Sequence, residues 1–312
     1  MNVALKQSLK IAVVGDIHNQ WEPEDAIALK HLGVDLVLFV GDFGNEAIEV
    51  VEAIAALDLP KAVVFGNHDA WYTMTEWGQK HCPYDPTQED RVQQQIDLLA
   101  EAHVGYGKRD FPEFGLTVVG TRPFSWGGPK LRNRSFYQKR FGVESIEDST
   151  KRIMEAAGQA AYDTIIFLGH NGPTGLGETP ESPCGRDWNP IGGDYGDPDF
   201  AAAIAQTRSL QKTIPLVTFG HMHHTLRHRK DRDRQCIQVS ETGTVYLNAA
   251  KVRRIEEINH QKRRNFSIVL LEKGMVSEAS LVWVGPDFNI VESELLYKAS
   301  NTNNPEIQVL SK

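Results

Sequence analysis

The sequence predicts an α/β fold, and three observations lead to this prediction. Short runs rich in Val, Ile, Leu and Phe recur along the chain with turn residues after them, as in buried strands. Stretches with apolar residues at helical spacing separate several of these runs. The last strand-like runs follow one another without a helix between them, which predicts an antiparallel extension of a sheet.

The first part of the chain alternates strand, helix, strand, helix and strand. Its apolar runs predict strands at residues 11–14, 34–40, 62–65 and 116–119. The stretches with apolar residues at helical spacing predict helices at residues 23–31, 46–57 and 88–102. This alternation is the basis of the α/β prediction.

In the second part, the same criteria predict helices at residues 146–161 and 198–209 and strands at residues 164–168, 216–219, 244–247, 266–271 and 280–284. Two segments fit neither pattern: residues 124–143 are basic and aromatic, and residues 172–198 are dense in Gly and Pro. Irregular segments of that length are usually functional loops or lids, or else mobile. We therefore expect a single domain over residues 1–312, with loop insertions at about 121–145 and 171–198.

Composition excludes several classes of protein. The chain has 312 residues, of which 41% are apolar and 24% charged, as in an ordinary globular protein. It has no stretch of about 18 apolar residues and no apolar run of signal-peptide length near Met1, so we expect no membrane span and a cytoplasmic location. The three cysteines are widely spaced without a C-x-x-C pair, which predicts neither a disulfide framework nor a thiolate zinc site.

The charge is unevenly distributed. The net charge of −8 argues against a protein whose whole surface binds nucleic acid. Residues 227–264 nevertheless contain eleven basic and five acidic side chains, a local excess of six positive charges. Two interpretations remain open: these are solvated charges of hairpins and loops, or they attract an anionic substrate.

Five predicted strands end in glycine followed by residues of the types that bind metals. The junctions are Gly15-Asp16-Ile17-His18, Gly41-Asp42, Gly66-Asn67-His68-Asp69, Gly169-His170 and Gly220-His221-Met222-His223. Because the loops beyond the carboxyl ends of strands in an α/β sheet face one crevice, these side chains can converge in space. Glycine at each junction lets the backbone turn sharply and approach a bound group closely.

The convergent set comprises two carboxylates, one amide and four imidazoles. Oxygen and nitrogen donors without a thiolate suit Mn, Fe, Co, Ni or Zn better than Ca or Mg. Seven ligands are too many for one tetrahedral ion but fit two divalent cations about 3.5–4 Å apart, bridged by one carboxylate. A water shared by such a pair is acidified into a nucleophile, and the pair stabilises the oxygens of a displacement at phosphorus.

The order of these motifs resembles that of the calcineurin-like metallophosphoesterase superfamily. The match extends from Asp16 to His223, about two thirds of the chain. The resemblance implies a four-layer α/β/β/α sandwich, in which two mixed β-sheets are flanked by helices and a di-metal site lies at the carboxyl ends of the strands. It also implies a hydrolase that uses two divalent metal ions per chain to cleave the ester bond of a small phosphorylated substrate.

The resemblance implies a role for each matching residue. Asp16, His18 and His223 would bind one metal; Asn67, His170 and His221 would bind the other; and Asp42 would bridge both. His68 would be the catalytic residue that protonates the leaving oxygen or stabilises the transition state. An imidazole with an ordinary pKa of about 6.5 is suited to such proton transfer.

One departure from the family pattern concerns the second motif. In the protein Ser/Thr phosphatases of this superfamily, an acidic residue that orients the catalytic histidine and an arginine follow this motif. Here Asn45 takes the acidic position and no arginine follows. We therefore do not expect a protein phosphatase of that kind. An amide can still hold the imidazole of His68 by a hydrogen bond, and Asp69 or a backbone group are alternatives.

The loops are expected to select the substrate. Arg122 begins a segment with aromatic and basic residues, and an arginine near a di-metal site can clamp a second phosphate or a carboxylate. Asn19 and Asn171 adjoin predicted metal ligands and are further candidates for substrate contacts. The alternative is a solvated basic loop whose aromatic rings turn into the core.

Three functions follow from these observations. The first is a phosphoesterase acting on a small phosphomonoester or phosphodiester. The second is a nuclease or cyclic-nucleotide phosphodiesterase; a nuclease would use residues 227–264 as a track for nucleic acid and would depend steeply on salt. The third is a non-catalytic regulatory protein on the same fold. That third function predicts lost ligands, and no ligand of the motif set is lost in this sequence.

Overall fold

Two mixed β-sheets pack against each other, and helices flank them, in the computed structural model, which describes residues 8–299. This arrangement confirms the predicted α/β/β/α sandwich. The strands, in chain order, are β1 (Ser8–Val14), β2 (Leu36–Phe39), β3 (Lys61–Val63), β4 (Lys108–Phe111), β5 (Leu116–Gly120), β6 (Thr164–Leu168), β7 (Thr213–Phe219), β8 (Ile237–Val239), β9 (Val245–Asn248), β10 (Ile255–Ile258), β11 (Gln261–Glu272), β12 (Met275–Val284) and β13 (Ile290–Lys298).

The first sheet has the order β13-β12-β11-β1-β2-β3, and β10 pairs with β11. Its strands β1, β2 and β3 are parallel, whereas β11, β12 and β13 are antiparallel to their neighbours. The predicted antiparallel extension is therefore present, attached to β1. Because β1, β2 and β3 run in one direction, the glycine junctions that follow them lie at one edge of the sheet.

The second sheet has the order β4-β5-β6-β7-β9-β8. Strands β5, β6, β7 and β9 are parallel, and the two edge strands are antiparallel to their neighbours. The carboxyl ends of β6 and β7 are followed by Gly169-His170 and Gly220-His221. The five glycine junctions therefore come from two different sheets.

The central strands of both sheets, such as β2 and β6, are apolar on both faces because each face is covered. Ile11 of β1 and Ile166 of β6 belong to the layer between the sheets. Side chains at alternating positions point the other way, and Phe39 and Phe167 pack in a second cluster with residues of the flanking helices, among them Leu29 and Phe200. This double burial explains why the predicted strands are continuous apolar runs rather than alternating ones.

The helices are α1 (Pro23–His31), α2 (Ile48–Ala55), α3 (Trp71–Met74), α4 (Glu76–Lys80), α5 (Arg91–Leu99), α6 (Arg134–Phe141), α7 (Ile146–Gly158) and α8 (Pro198–Ser209). Helices α1 and α8 begin with proline, whose fixed φ suits the first helical position. The side chain of Ser145 caps α7 by accepting a hydrogen bond of 3.0 Å from the Asp148 amide. Within residues 8–299 we find no helix with the length and apolar character needed to cross a bilayer.

Four strands and three helices were not predicted from the sequence. Strands β4, β8, β10 and β13 carry polar residues and are partly exposed, so their apolar signal is weak. Helix α6 lies inside the basic segment 124–143, and the short helices α3 and α4 follow the third glycine junction. Residues 172–197 form a loop in which isolated bridges join Pro173 to Asp197 and Gly185 to Asp194.

Candidate metal centre

All five glycine junctions meet at one place, where the sheets present the carboxyl ends of β1, β2, β3, β6 and β7. Three overlapping groups of side chains could each hold a metal ion. Within a group, every side chain offers one ligand atom, and these atoms lie within 4.8 Å of one another. The groups are Asp16, His18 and His223; His18, Asp42 and His68; and Asp42, His170 and His221. Asn67 joins the last group because its Oδ1 lies 3.0 Å from His170 Nε2. The structure therefore brings together all seven predicted ligands.

The first group consists of one buried carboxylate and two imidazoles. Asp16 is 1% exposed, and its Oδ2 lies 3.1 Å from His223 Nε2. His18 Nε2 lies 3.2 Å from the same nitrogen of His223. Both carboxylate oxygens of Asp16 accept the backbone N–H of His221 at 3.1 Å, so the loop after β7 is tied to the loop after β1. The group therefore joins the two sheets.

Asp42, which is 2% exposed, belongs to both the second and the third group. Asp42 Oδ1 lies 3.4 Å from His170 Nε2, and Asp42 Oδ2 lies 3.8 Å from His18 Nε2. The two oxygens of Asp42 thus face imidazoles of different groups. This is the position that a bridging carboxylate requires.

The donor set fits a cation. His170 Nδ1 donates to the carbonyl oxygen of Val40 at 2.7 Å, so in the neutral imidazole Nε2 carries a free lone pair. That nitrogen faces the oxygens of Asn67 and Asp42, which are acceptors as well. Acceptor atoms this close repel one another unless a positive charge lies between them, which a divalent cation would supply.

The electrostatics favour the metal-binding forms of Asp16 and His221, whereas the charge of Asp16 favours protonation of His223. Burial alone would raise the pKa of Asp16. The hydrogen bond with His223 and the positive charge of that imidazole outweigh the effect of burial and lower the pKa of the carboxyl. Burial, with the charge of His170, lowers the pKa of His221 to about 3, so this imidazole is neutral at neutral pH. Burial alone would lower the pKa of His223, but Asp16 raises it, and Arg227 is near enough to oppose that rise. A carboxylate and a neutral imidazole are the forms that coordinate metals.

The backbone at the site is strained. His18, Asn19, Asp42 and His221 have φ values of 44°, 63°, 54° and 65°, in the left-handed region that residues other than glycine rarely adopt. Each such conformation costs about 1–3 kcal/mol, and residues in such conformations occur most often at functional sites. The site is also closely packed, since a Cβ added to Gly66 would lie 2.2 Å from Asp42 Oδ1. Only glycine fits at that position.

Asn45 orients His68. His68 Nδ1 donates to Asn45 Oδ1 at 2.6 Å, and the imidazole stacks on Trp71 with 4.7 Å between ring centroids. Asp69, the alternative partner considered from sequence, instead accepts three backbone N–H groups and shapes the loop around Asp42. Burial lowers the pKa of His68 while the charge of Asp42 opposes the shift. The free imidazole is therefore mostly neutral at neutral pH.

Two of the three predicted substrate contacts have a different role in the structure. Arg122 is 2% exposed and forms ion pairs with Asp197 at 2.7 Å and Asp199 at 2.9 Å. Asn171 is fully buried, and its amide donates to the carbonyl oxygen of Tyr195 at 2.9 Å. Both side chains hold the segment before α8 against the sheet, so neither is placed to touch a substrate. Asn19 is exposed beside His18 and remains a candidate.

The buried ion pairs of Arg122 predict a stability effect. We expect Arg122→Met to lower the free energy of unfolding by about 3–5 kcal/mol, because Asp197 and Asp199 would stay buried without their cation. Guanidinium unfolding curves would measure the change. Arg134→Met, which alters an exposed arginine, is the matched control. Unchanged stability combined with a higher KM would restore the substrate contact predicted from sequence.

Most charges of the basic segment, residues 227–264, are paired with carboxylates. The buried members Arg234, Arg254 and Arg264 form ion pairs with Asp187, Asp25 and Glu22 respectively. Members nearer the surface pair too, as Arg263 does with Glu292 at 2.5 Å. A nucleic acid would have to displace these carboxylates, so the structure does not support a continuous track for a phosphate backbone.

Comparisons with known proteins agree with this architecture. A family model described as calcineurin-like phosphoesterase matches residues 9–225. No curated protein matches the chain. One solved structure is 13% identical, covers 88% of this chain and 98% of its own, and has a TM-score of 0.51.

Two other solved structures align over most of the chain with lower TM-scores. The protein TT1561 of Thermus thermophilus is 12% identical, with 85% of this chain and 98% of that chain covered and a TM-score of 0.46. A dimetal phosphatase from Danio rerio is 12% identical, with 93% and 99% covered and a TM-score of 0.47. At such identities the likeness concerns the fold alone.

Proposed function

The chain belongs to the calcineurin-like phosphoesterase family, and from this we propose that it is a metal-dependent phosphoesterase acting on a small phosphorylated molecule, as a monoester or a diester. The observation that supports the proposal is the convergence of seven oxygen and nitrogen donors into overlapping groups, with Asp42 between His18 on one side and His170 on the other. The proposal treats the sandwich, with its loops at about 121–145 and 171–198, as one catalytic domain.

We assign the ligands by their grouping. Asp16, His18 and His223 would hold one divalent cation; Asn67, His170 and His221 would hold a second; and Asp42 would contact both. Mn, Fe, Co, Ni or Zn suit this donor set. When bound, such a pair supplies an acidified water and positive charge beside the phosphoryl oxygens.

His68 would assist the leaving group. Asn45 accepts the Nδ1–H of His68, so Nε2 is the ring nitrogen that would act on the ester. A proton held at Nε2 would pass to the leaving oxygen as the bond to phosphorus breaks. Burial lowers the pKa of His68, and the negative charge of a bound phosphate would raise it and so favour that proton.

The experiment that tests the proposal is hydrolysis by purified protein that has been stripped with a chelator and reconstituted with single metals. A p-nitrophenyl monoester and a bis-p-nitrophenyl diester are assayed in parallel, and the metal content of each sample is measured. We expect turnover that depends on added metal at about two ions per chain. The preferred ester then separates monoesterase from diesterase. Protein that binds no metal would overturn the proposal.

The contact between Asn45 and His68 predicts a pH effect. In Asn45→Asp, a carboxylate would accept the Nδ1–H and stabilise the charged imidazolium, so the pKa of His68 should rise by about one unit. If His68 is the general acid, its proton is then retained to higher pH, and the alkaline limb of the kcat–pH profile moves upward. Asn259→Asp, the same change at an exposed position, should leave the profile unchanged. If the kcat–pH profile of Asn45→Asp does not move, His68 is not the general acid.

A further inference from the structure

Two aromatic rings of the loop 172–198 each carry an arginine over them. The guanidinium carbon of Arg132 lies 5.6 Å from the ring centroid of Tyr195, and that of Arg227 lies 5.4 Å from the ring centroid of Trp188. The rings of Trp188 and Tyr195 meet edge to face with 4.8 Å between centroids. These four side chains form one continuous surface, which we call the arginine wall.

The Tyr195 end of the wall is fixed to the metal centre through Asn171. Asn171 directly follows His170 in the chain, and its amide donates to the Tyr195 carbonyl oxygen at 2.9 Å. The same carbonyl accepts the backbone N–H of Gly128 at 2.7 Å. The ring of Tyr195 packs on that glycine, where an added Cβ would lie 3.1 Å from Cζ. The position of Tyr195 is therefore set by the segment that carries His170.

The Arg227 end is fixed through a buried ion pair. The backbone N–H of Arg227 donates to Asp187 Oδ2 at 2.7 Å, and Asp187 pairs with the buried Arg234 at 3.2 Å. Arg234 Nε in turn donates to the carbonyl oxygen of His223 at 3.0 Å. The wall thus runs between the segments that carry His170 and His223.

Neither arginine of the wall has a carboxylate of residues 8–299 within salt-bridge distance, in contrast to the eight paired basic side chains of residues 227–264. Both are exposed. Arg132 donates to the hydroxyl of Tyr195, and Arg227 donates through its backbone, so most of the guanidinium N–H groups stay available. Stacking on an aromatic ring limits the motion of a guanidinium while leaving its planar edge free, and that edge matches a phosphate or a carboxylate.

We propose that the arginine wall binds a second anionic group of the substrate, a phosphate or a carboxylate, while the first phosphate lies at the metal centre. The substrate class is then a small phosphate ester with at least two anionic groups. This inference rests on the proposed phosphoesterase function, and it names Arg132 and Arg227 as specificity-determining residues.

The test is isothermal titration calorimetry of the metal-loaded protein with phosphonates, which the enzyme cannot hydrolyse. The ligands are propane, butane and hexane bisphosphonates and, as the reference with one anionic group, propylphosphonate. We expect at least one bisphosphonate to bind about tenfold or more tightly than propylphosphonate, as charge-assisted hydrogen bonds to a second anion provide. The chain length with the greatest advantage would report the distance from the metals to the wall.

Variants test whether the arginine wall causes the preference for bisphosphonates over propylphosphonate. Arg132→Gln combined with Arg227→Gln should bring the bisphosphonate affinity to within about twofold of that of propylphosphonate. The matched control combines Arg134→Gln with Arg232→Gln, which removes the same charge from exposed arginines and should keep the preference. Replacing both wall arginines with lysine should retain part of it, because the charge remains. Metal content and thermal melting verify that each variant is folded.

Two outcomes would overturn the inference. One is equal binding of propylphosphonate and all bisphosphonates by the unaltered protein, and the other is a preference that survives in the double glutamine variant. Turnover of the p-nitrophenyl esters is measured on the same samples. Metal-dependent turnover without a bisphosphonate preference would refute anion binding by the arginine wall but not the phosphoesterase function. Absence of both turnover and bound metal would refute the proposed function itself.

Discussion

Asp42→Ala is expected to abolish metal-dependent turnover. The change removes the one carboxylate whose two oxygens face both ligand groups. Charge stabilisation by bound metal is worth several kcal/mol, so losing it should lower kcat/KM by about 10³-fold or more. Inductively coupled plasma measurements should show that metal content falls together with kcat/KM on the p-nitrophenyl ester.

Asp58→Ala is the control for this prediction. Its side chain is 95% exposed and forms only a surface pair with Lys30, so both metal content and turnover should match those of the unaltered protein. An Asp42→Ala protein that keeps two ions and most of its activity would show that Asp42 does not bridge. The remaining ligands would then have to be assigned to the metals anew.

His68→Ala is expected to separate metal binding from catalysis. Its imidazole lies in one group with His18 and Asp42, yet Nδ1 is engaged with Asn45 and the ring is stacked on Trp71. If the other seven side chains hold the cations, as we propose, metal content should be unchanged. Loss of the general acid should lower kcat by about 10²–10⁴-fold. The effect should be greatest for an ester with a poor leaving group, which depends most on protonation.

The exposed His260 offers a matched change, and His260→Ala should leave kcat unaltered. A p-nitrophenyl ester has a good leaving group, so the comparison needs an alkyl ester as well. If His68→Ala keeps full turnover on the alkyl ester with metal bound, then His68 has no part in the proton transfer. Loss of metal in this variant would instead make His68 a ligand.

The sequence was sufficient to predict the main features of the fold and the convergence of the seven candidate metal ligands. Strands such as β6 are buried on both faces, and their apolar runs can be recognised without knowing what covers them. The glycine junctions could be placed together because parallel strands present their carboxyl ends at one edge. The edge strand β13 is not predicted because its side chains are mostly exposed and three polar residues, 292–294, interrupt its apolar residues.

The roles of individual polar residues were harder to predict. Arginine is a residue type that often binds anions, and the sequence around Arg122 gives no sign that it does otherwise. Its buried ion pairs with Asp197 and Asp199, more than 70 positions away in the chain, become visible only in the structure. Asn45 was one of several possible partners for His68, and the choice depended on the fold of the loop around Asp42. Such pairings depend on tertiary geometry that no local pattern records.

The proposed ligands come from both sheets. Asp16, His18, Asp42 and Asn67 follow strands of the first sheet, and His170, His221 and His223 follow strands of the second. Any ion bound there is a crosslink between the two halves of the sandwich. Its binding free energy adds to the free energy of unfolding, by about 2.7 kcal/mol when the free ion is at a hundred times its dissociation constant. Metal supply would then determine how long the chain survives proteolysis as well as how fast it hydrolyses an ester.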